Sequence, residues 1–309
     1  MLNYQCTKLE KLPIFITNFV CNMLIIVVSY LILKYICGVT AMKLGLCSIA
    51  FQEKPLEEVI DIAAEYGFDG LEVWGKPPHI PVEYEKSYVK KIHSLALQKG
   101  ITISAYGSYV DPLMDLHQKY FEEAFVIAQD LGTDLIRIWS GGGPSKSISP
   151  VDKRLILFRL VSLSQWADFR GIKLGLEMHN NHLTDSVESI LDVIEKTNNP
   201  ALKTYYQPLS RIDADEPHDA AQKLAEHVVN IHAQNFDENG KPCRIAEGVV
   251  DYSRIIETLN SAGYDGFIHV EFIPGDNKME DLQRDRDYLA SLIEPLPENS
   301  LKDIESDPV

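Results

Sequence analysis

The sequence contains few cysteines and no cysteine spacing typical of a metal-binding finger. Only five cysteines occur in 309 residues, and no two of them stand in a CxxC pattern. This pattern excludes a disulfide framework and a zinc finger, and it indicates a reducing compartment. We therefore expect a cytoplasmic location, with anchoring at a membrane left open by the amino-terminal segment described below.

Basic residues are also scarce, because 29 lysines and arginines face 45 aspartates and glutamates, giving a formal charge of -16. A surface that binds nucleic acid needs clustered basic side chains, so we expect no nucleic-acid partner. The sequence also shows neither a basic cluster nor a glycine-rich loop for a phosphate group. Acidic chains of this kind usually act on small molecules or proteins.

The first 41 residues differ in composition from the rest. Between Lys11 and Lys34 no charged residue occurs, and residues 19–33 are nearly all apolar, close to the roughly 20 residues that span a bilayer. One interpretation is a membrane anchor, with membrane contact through residues 12–33. The other is a mis-called start, since Met42 opens a run that itself resembles a first strand. A cleaved signal is a weaker alternative, because Lys34 interrupts the apolar run.

From Met42 onward, short β-branched or aromatic runs alternate with amphipathic stretches. This alternation predicts parallel strands joined by helical crossovers. Residues 55–66 illustrate a helix, with Leu56, Val59, Ile60 and Ala63 on one face. The eight candidate strands are residues 43–49, 70–74, 102–107, 135–139, 173–179, 202–207, 228–234 and 267–273.

A repeated turn favours a closed barrel over a doubly wound open sheet. The segments beginning at Tyr66, Leu131 and Ala262 each place a glycine after a helix and an aspartate before a strand. Glycine ends the helix and aspartate favours the turn into the sheet. We predict one (β/α)8 TIM barrel domain over residues 42–294, followed by an acidic disordered tail over residues 295–309.

Polar residues stand where the last four strands end, which in such a barrel is the catalytic face. Strand five ends near Glu177, strand six at Gln207, strand seven holds His232, and strand eight ends near Glu271. These four side chains can converge on one point. Oxygen ligands with one imidazole suit a divalent ion such as Mn, Mg, Co or Zn.

Four motifs resemble those of the xylose isomerase-like, sugar phosphate isomerase/epimerase superfamily: GLEMHNN (175–181), NIHAQN (230–235), AEGVVDY (246–252) and GYDGFIHVE (263–271). The resemblance implies that Glu177, Gln207, His232 and Glu271 bind the metal. Three positions depart from the family pattern. Gln207 stands where an Asp is usual, Ser210 where many members have a His, and Asn235 where an Asp follows the strand-seven His.

The resemblance also implies proton transfer next to a carbonyl through an enediolate, with Glu177 and Glu271 as the catalytic base and acid. The expected substrate is an unphosphorylated sugar or inositol-like polyol, and the protein is expected to be an isomerase or epimerase. Homo-oligomers are common in this superfamily, so the sequence leaves open whether the protein forms one. Six further residues are predicted to contact substrate: Trp74, His79, Tyr106, Trp139, His179 and Arg244.

Three alternatives compete with this function. The same site could expel a hydroxyl, as in the inosose dehydratases of the superfamily. A membrane-tethered polyol-binding protein without turnover is a second alternative, to which Gln207 lends weight. An apurinic-site endonuclease is a third, and it is disfavoured because residues 102–107 lack the further histidines that a three-metal cluster needs.

Overall fold

The computed structural model of the protein describes residues 42–113, 118–210 and 216–293. The amino-terminal apolar segment and the acidic tail both lie outside these residues, so the predicted anchor, start site, tail and domain limits stay predictions. Among the described residues, no helix is both long and apolar enough to cross a bilayer.

Eight parallel strands close into a barrel, and this closure confirms the TIM barrel and excludes the open sheet. Each strand pairs with its neighbours in chain order, and the first strand pairs with the eighth. The predicted runs overrun the observed strands at some carboxyl ends, most at the eighth, because those residues leave the sheet to form loops. The barrel strands are β1 (Lys43–Cys47), β2 (Gly70–Trp74), β3 (Thr102–Gly107), β4 (Leu135–Ile138), β5 (Lys173–Glu177), β6 (Leu202–Tyr206), β7 (Val228–Ala233) and β8 (Phe267–Val270).

Helices follow the strands and pack around the outside of the sheet. In the first of them, the predicted apolar face is confirmed, because Leu56, Val59, Ile60 and Ala63 are all fully buried. A short hairpin (Asn235–Phe236 with Pro242–Cys243) follows β7. The helices are α1 (Leu56–Glu65), α2 (Lys86–Gln98), α3 (Gln118–Leu131), α4 (Pro150–Phe169), α5 (Val187–Thr197), α6 (Pro217–Leu224), α7 (Tyr252–Ser261) and α8 (Lys278–Ile293).

The repeated turn has the predicted geometry. Gly67, Gly132 and Gly263 have φ angles of 69°, 76° and 85°, the left-handed region in which glycine carries no steric penalty. After the first of these glycines, Asp69 accepts a hydrogen bond from the backbone N–H of Leu44 at 2.9 Å. The aspartate therefore ties the start of β2 to the neighbouring strand.

The main apolar core lies between the sheet and the helices, whereas the interior of the barrel is partly polar. Glu72, Arg137, Asn230, His232 and His269 are each at most 5% exposed. A buried charge is costly unless it is paired or hydrogen-bonded, so these residues have to satisfy one another. Their mutual contacts define the candidate site.

The loop after the hairpin is held to α8 by a buried carboxylate. Asp285 accepts a hydrogen bond from the backbone N–H of Ile245 at 2.8 Å and is 1% exposed. Burial raises the pKa of Asp285 to about 6, helped by the nearby Asp281 and opposed by the bond from Ile245. The folded protein therefore favours the protonated form of Asp285 more than the unfolded chain does.

We expect Asp285→Asn to remove a pH-dependent component of stability. The wild-type residue has its full stabilising effect below its unfolded pKa of 3.8 and loses it as the pH rises through its folded pKa of about 6. As the pH rises from 3.8 to about 6, the free energy of unfolding of the wild type should fall by up to about 3 kcal/mol relative to that of the variant. Urea unfolding of both proteins from about pH 4 to about pH 7 measures this difference. A constant difference across that range would contradict the assignment.

Candidate metal and proton-transfer site

The four predicted ligands meet around one imidazole nitrogen. His232 Nδ1 lies 3.3 Å from Gln207 Oε1, 3.6 Å from Glu177 Oε1 and 3.4 Å from Glu271 Oε1. All four side chains are buried. Their strands place them, because β5 ends at Glu177, His232 is the penultimate residue of β7, and the other two residues directly follow β6 and β8.

The opposite nitrogen of the same ring contacts a third carboxylate. His232 Nε2 lies 3.1 Å from Glu72 Oε2, and the same oxygen accepts a hydrogen bond from Asn230 Nδ2 at 2.9 Å. A carboxylate only accepts hydrogen bonds, so Nε2 carries the proton in this contact. In the neutral ring, the Nδ1 lone pair then points at the oxygens of the other three side chains.

Arg137 is the basic residue that pairs with this acidic group. Its Nη1 lies 2.9 Å from Glu177 Oε2, and both side chains are almost fully buried. Burial alone would raise the pKa of Glu177, but the charge of Arg137, together with the hydrogen bond and charge of His232, outweighs burial and lowers that pKa to about 2. Glu177 is therefore held as an anion, with one oxygen on Arg137 and the other facing His232.

A single glycine leaves room for the two charged side chains that lie next to each other inside the barrel. A Cβ atom at Gly107 would stand 2.9 Å from Glu72 Oε1 and 3.3 Å from Arg137 Nη2. The first distance is too short for a real contact, and a side chain there would push the carboxylate away from His232. Gly107 on β3 thus permits the charged interior.

The donor atoms fit one divalent cation. Donors bound to one ion at about 2.1 Å stand roughly 3 to 3.5 Å apart, close to the spacing around His232 Nδ1. Without a cation, an unprotonated Nδ1 would face three oxygens and repel them. A cavity of about 20 Å³ lies beside the group and has room for about one water molecule; Glu72, His232 and Glu271 line it, whereas Glu177 and Gln207 do not.

The electrostatics of the His232 ring also favour a positive charge at this position. Burial disfavours the imidazolium form, but contact with Cys47 and the negative charges of Glu271 and Glu72 raise the pKa of His232 well above 6.5. Burial also raises the pKa of the Cys47 thiol to about 12, so this sulfur stays protonated. The position next to three carboxylates therefore attracts positive charge, which a metal ion or a ring proton can provide.

Comparison with known proteins identifies the family of this chain. The family model described as the xylose isomerase-like TIM barrel matches residues 60–292. The chain belongs to this family. Membership confirms the resemblance that the four sequence motifs indicated.

Relatives within the xylose isomerase-like family catalyse different reactions. A 3-dehydroshikimate dehydratase from Bacillus anthracis is 23% identical over 275 residues, which cover 81% of this chain and 97% of that protein. A fructoselysine 3-epimerase from Escherichia coli O157:H7 is 23% identical over 252 residues, covering 75% and 90%. The two names differ in reaction type, so family membership alone leaves the reaction open.

Solved structures share the fold. The crystal structure of the probable dehydratase from Bacillus anthracis superposes with a TM-score of 0.70 at 22% identity, covering 81% of this chain and 99% of that one. A xylose isomerase-like barrel from Mycobacterium smegmatis in complex with magnesium gives a TM-score of 0.64 at 17% identity, covering 82% and 96%. At these identities, the similarity establishes the fold alone.

Two of the predicted substrate contacts, Trp74 and Tyr106, lie on different cavities. Trp74 lines the small cavity beside His232, and its indole N–H donates to Tyr109 Oη at 2.7 Å. Tyr106 is buried and lines a separate, largely apolar cavity of about 460 Å³ between the loops that follow β2 and β3. Only Trp74 of this pair therefore reaches the candidate site.

Trp139 and His179 form an aromatic cluster beside Arg137. Their ring centroids are 4.9 Å apart, and His182 completes the cluster at 4.7 Å from Trp139. The Arg137 guanidinium lies 4.7 Å from the centre of the Trp139 ring. Because Arg137 pairs with Glu177, this cluster adjoins the site, and its predicted contact with substrate stays a prediction.

His79 and Arg244 are occupied by other parts of the protein. His79 is fully buried, and its ring contacts Ser48 Oγ at 2.9 Å and two backbone carbonyl oxygens. Arg244 pairs with Glu247 and, at 3.3 Å, with Asp281. Neither residue appears among those that line the cavity beside His232, so their placement gives no support to substrate binding.

Asn235, one of the departures from the family pattern, organises the loop after β7. Its amide nitrogen donates to the carbonyl oxygens of Ile245 and Val250 at 2.7 and 3.0 Å, and its oxygen accepts from two backbone N–H groups. An ionised aspartate could not donate to those carbonyl oxygens. Ser210, at a second departure, accepts a hydrogen bond from Asn180 Nδ2 at 3.2 Å.

Sequence reasoning assigned no role to Glu72 and did not identify Arg137 or Cys47 as site residues. Glu72 and Arg137 each lie between apolar residues of a predicted strand, and in a barrel the inward residues of such a strand are mostly packed side chains. A charged residue between apolar residues of a strand was therefore the one feature of the sequence that could have indicated a site residue. Its partner could not be identified, because that partner lies on another strand.

We expect Arg137→Met to lower the free energy of unfolding of the metal-free protein by about 3 to 5 kcal/mol, because Glu177 would remain buried and ionised without its cation. A matched control is Lys54→Met, which breaks the exposed ion pair between Lys54 and Glu58 at 3.0 Å and should cost under about 1 kcal/mol. Urea unfolding measures both values. Equal losses would contradict a buried, uncompensated charge.

Proposed function

We propose that this protein is a metal-dependent isomerase or epimerase that transfers a proton next to the carbonyl group of a small sugar or polyol. The observation that carries the proposal is the convergence of Glu177 and Glu271 on His232 Nδ1, with Oε1 distances of 3.6 and 3.4 Å. Two carboxylates beside one cation site can serve the same substrate carbon.

Gln207, Glu177, His232 and Glu271 would hold the cation. A bound divalent ion would stabilise the negative charge that develops on a carbonyl oxygen when the neighbouring carbon loses a proton. Mn²⁺ and Mg²⁺ suit a set of three oxygen donors and one nitrogen donor best. Gln207 is neutral, so the site offers two carboxylates to the ion.

The two carboxylates are not equivalent, which suggests separate roles. Glu177 is fixed as an anion by Arg137, so it is a weak base in the resting site. Glu177 Oε2 and Glu271 Oε2 are both buried without a hydrogen-bond partner in the described part of the chain, but only Glu177 Oε2 forms an ion pair with an arginine there. We therefore assign the first proton abstraction to Glu271. Once the substrate has displaced part of its ion pair, Glu177 would take up a proton from solvent and deliver it to the same carbon from the other side, and Glu271 would release the abstracted proton to solvent.

The substrate class follows from the surroundings of the site. The cavity beside His232 has room for only about one water molecule, so the substrate binds at its mouth, with Trp74 as a flat apolar wall. Among the lysines and arginines of the described chain, Arg137 alone lines this cavity, and it is already paired with Glu177. An uncharged sugar or polyol therefore suits the site better than a sugar phosphate.

A dehydratase is the second candidate. The relative from Bacillus anthracis is named for 3-dehydroshikimate, which has a carboxylate in addition to its carbonyl and hydroxyl groups. Arg137 Nε is buried and lacks a hydrogen-bond partner in the part of the chain that the structure describes, so it could receive such an anion. The same proton abstraction would then be followed by loss of a neighbouring hydroxyl as water.

The full chain should catalyse exchange of a carbon-bound proton with solvent. We expect protein supplied with Mn²⁺ in heavy water to introduce deuterium next to the carbonyl of at least one compound in a panel of ketoses, inososes and 3-dehydroshikimate, read by NMR and mass spectrometry. Recovery of an epimer or isomer supports the first candidate, whereas loss of one water molecule supports the second.

Glu271→Gln should lower the exchange rate on the order of 10²- to 10⁴-fold, because a neutral amide cannot accept the proton. The matched control is Glu257→Gln, an exposed glutamate on α7 whose variant should exchange at the wild-type rate. Wild-type Mn²⁺ binding without exchange across the panel would favour a non-catalytic polyol-binding protein and would overturn the proposal.

A further inference from the structure

Glu72 is a buried carboxylate whose hydrogen bonds, within the residues that the structure describes, lead to β7. It lies in the middle of β2 and is 3% exposed. One of its oxygens accepts from Asn230 Nδ2 at 2.9 Å and contacts His232 Nε2 at 3.1 Å. The strand order places β1 and β8 between β2 and β7, so these contacts cross the interior of the barrel.

No lysine or arginine in the described residues forms an ion pair with Glu72. Its ion-pair partner is His232, whereas the nearby Arg137 pairs with Glu177. A carboxylate in this position is costly for folding. Proteins in which apolar residues of similar volume replace buried charges are often equally stable or more stable. Folding stability alone therefore does not explain a glutamate at this position, and its contact with His232 indicates a role in the site.

The contact fixes the direction in which His232 presents its lone pair. With Nε2 donating its proton to Glu72, Nδ1 is the nitrogen free to bind a cation, and it faces Glu177, Gln207 and Glu271. A carboxylate on the far nitrogen of a metal-binding histidine also makes the ring a stronger donor. Glu72 thus acts on the cation site without touching the cation.

We propose that Glu72 is a positioning residue that supplies, through His232, part of the negative charge that the neutral Gln207 does not give to the cation. This inference rests on the proposed metal site. The ligand set contains two carboxylates and an amide, and Glu72 adds a third carboxylate one imidazole away. Gly107 supports this arrangement, since a Cβ atom there would stand 2.9 Å from Glu72 Oε1.

The test compares Mn²⁺ dissociation constants by calorimetry for the full-length wild type, Glu72→Gln and Asp285→Asn. Glu72→Gln keeps the side-chain volume and removes the charge, and we expect it to weaken Mn²⁺ binding about 10- to 100-fold. Asp285→Asn is the matched control, since it neutralises a carboxylate that is equally buried but bonded to Ile245. Its dissociation constant should equal that of the wild type.

A second measurement separates positioning from a merely structural role. In protein loaded with Mg²⁺, the Nε2 proton of His232 should resonate downfield, as a proton hydrogen-bonded to a carboxylate does, and should move upfield in Glu72→Gln. A loss of folding stability alone would leave this signal and the Mn²⁺ affinity of the folded protein unchanged. We further expect Glu72→Gln combined with Gln207→Asp to regain most of the lost affinity, because the charge returns to the ligand set.

The outcomes distinguish this inference from the proposed function. Equal Mn²⁺ affinity of wild type and Glu72→Gln, or an unmoved Nε2 proton, would overturn the role of Glu72 and leave proton transfer intact. Weaker Mn²⁺ binding by Glu72→Gln, in a protein that exchanges no carbon-bound proton, would support the role of Glu72 and contradict the proposed enzyme. A wild-type protein that binds no divalent ion would overturn both.

Discussion

The imidazole of His232 lies between two acidic groups, and the polar interior of the barrel is arranged around this contact. One ring nitrogen meets Glu72 at 3.1 Å, and the other faces Glu177 and Glu271 at 3.6 and 3.4 Å. Buried carboxylates at this density repel one another unless positive charge separates them. Arg137 neutralises one of them, and a ring proton or a cation has to offset the rest.

This constraint explains features that would otherwise look unrelated. Gly107 is small because the Glu72 carboxylate occupies the space beside it. Asn230 points inward because the same carboxylate needs a second donor. Arg137 lies inside the barrel, and its partner Glu177 keeps one oxygen for His232. Each residue reduces the energetic cost of holding acidic groups close together in a desolvated space.

Residue type alone did not separate site residues from structural ones. His79 and His232 are both buried histidines, yet the contacts of His79 lead to Ser48 and backbone carbonyl oxygens, whereas those of His232 lead to carboxylates. Arg137 and Arg244 differ in the same way, because Arg244 is bound to carboxylates on the loop after the hairpin and on α8. The partners of a side chain, and not its identity, decide its role.

The sequence by itself determined the eight strands, their order and the ends from which Glu177, Gln207, His232 and Glu271 emerge. These features depend on local periodicity and on turn residues such as Gly67, which act within a few positions of the chain. The structure agrees with the predicted convergence of the four side chains, because the carboxyl ends of parallel barrel strands share one face.

Only the tertiary structure decided the interior partners. Glu72 and His232 are 160 residues apart in sequence, and Arg137 and Glu177 lie on adjacent strands whose register brings their side chains together. Such pairs depend on the closure of the barrel and on the register of its strands, which no local pattern contains. The same holds for the burial that lowers or raises each pKa, since burial is a property of the packed molecule.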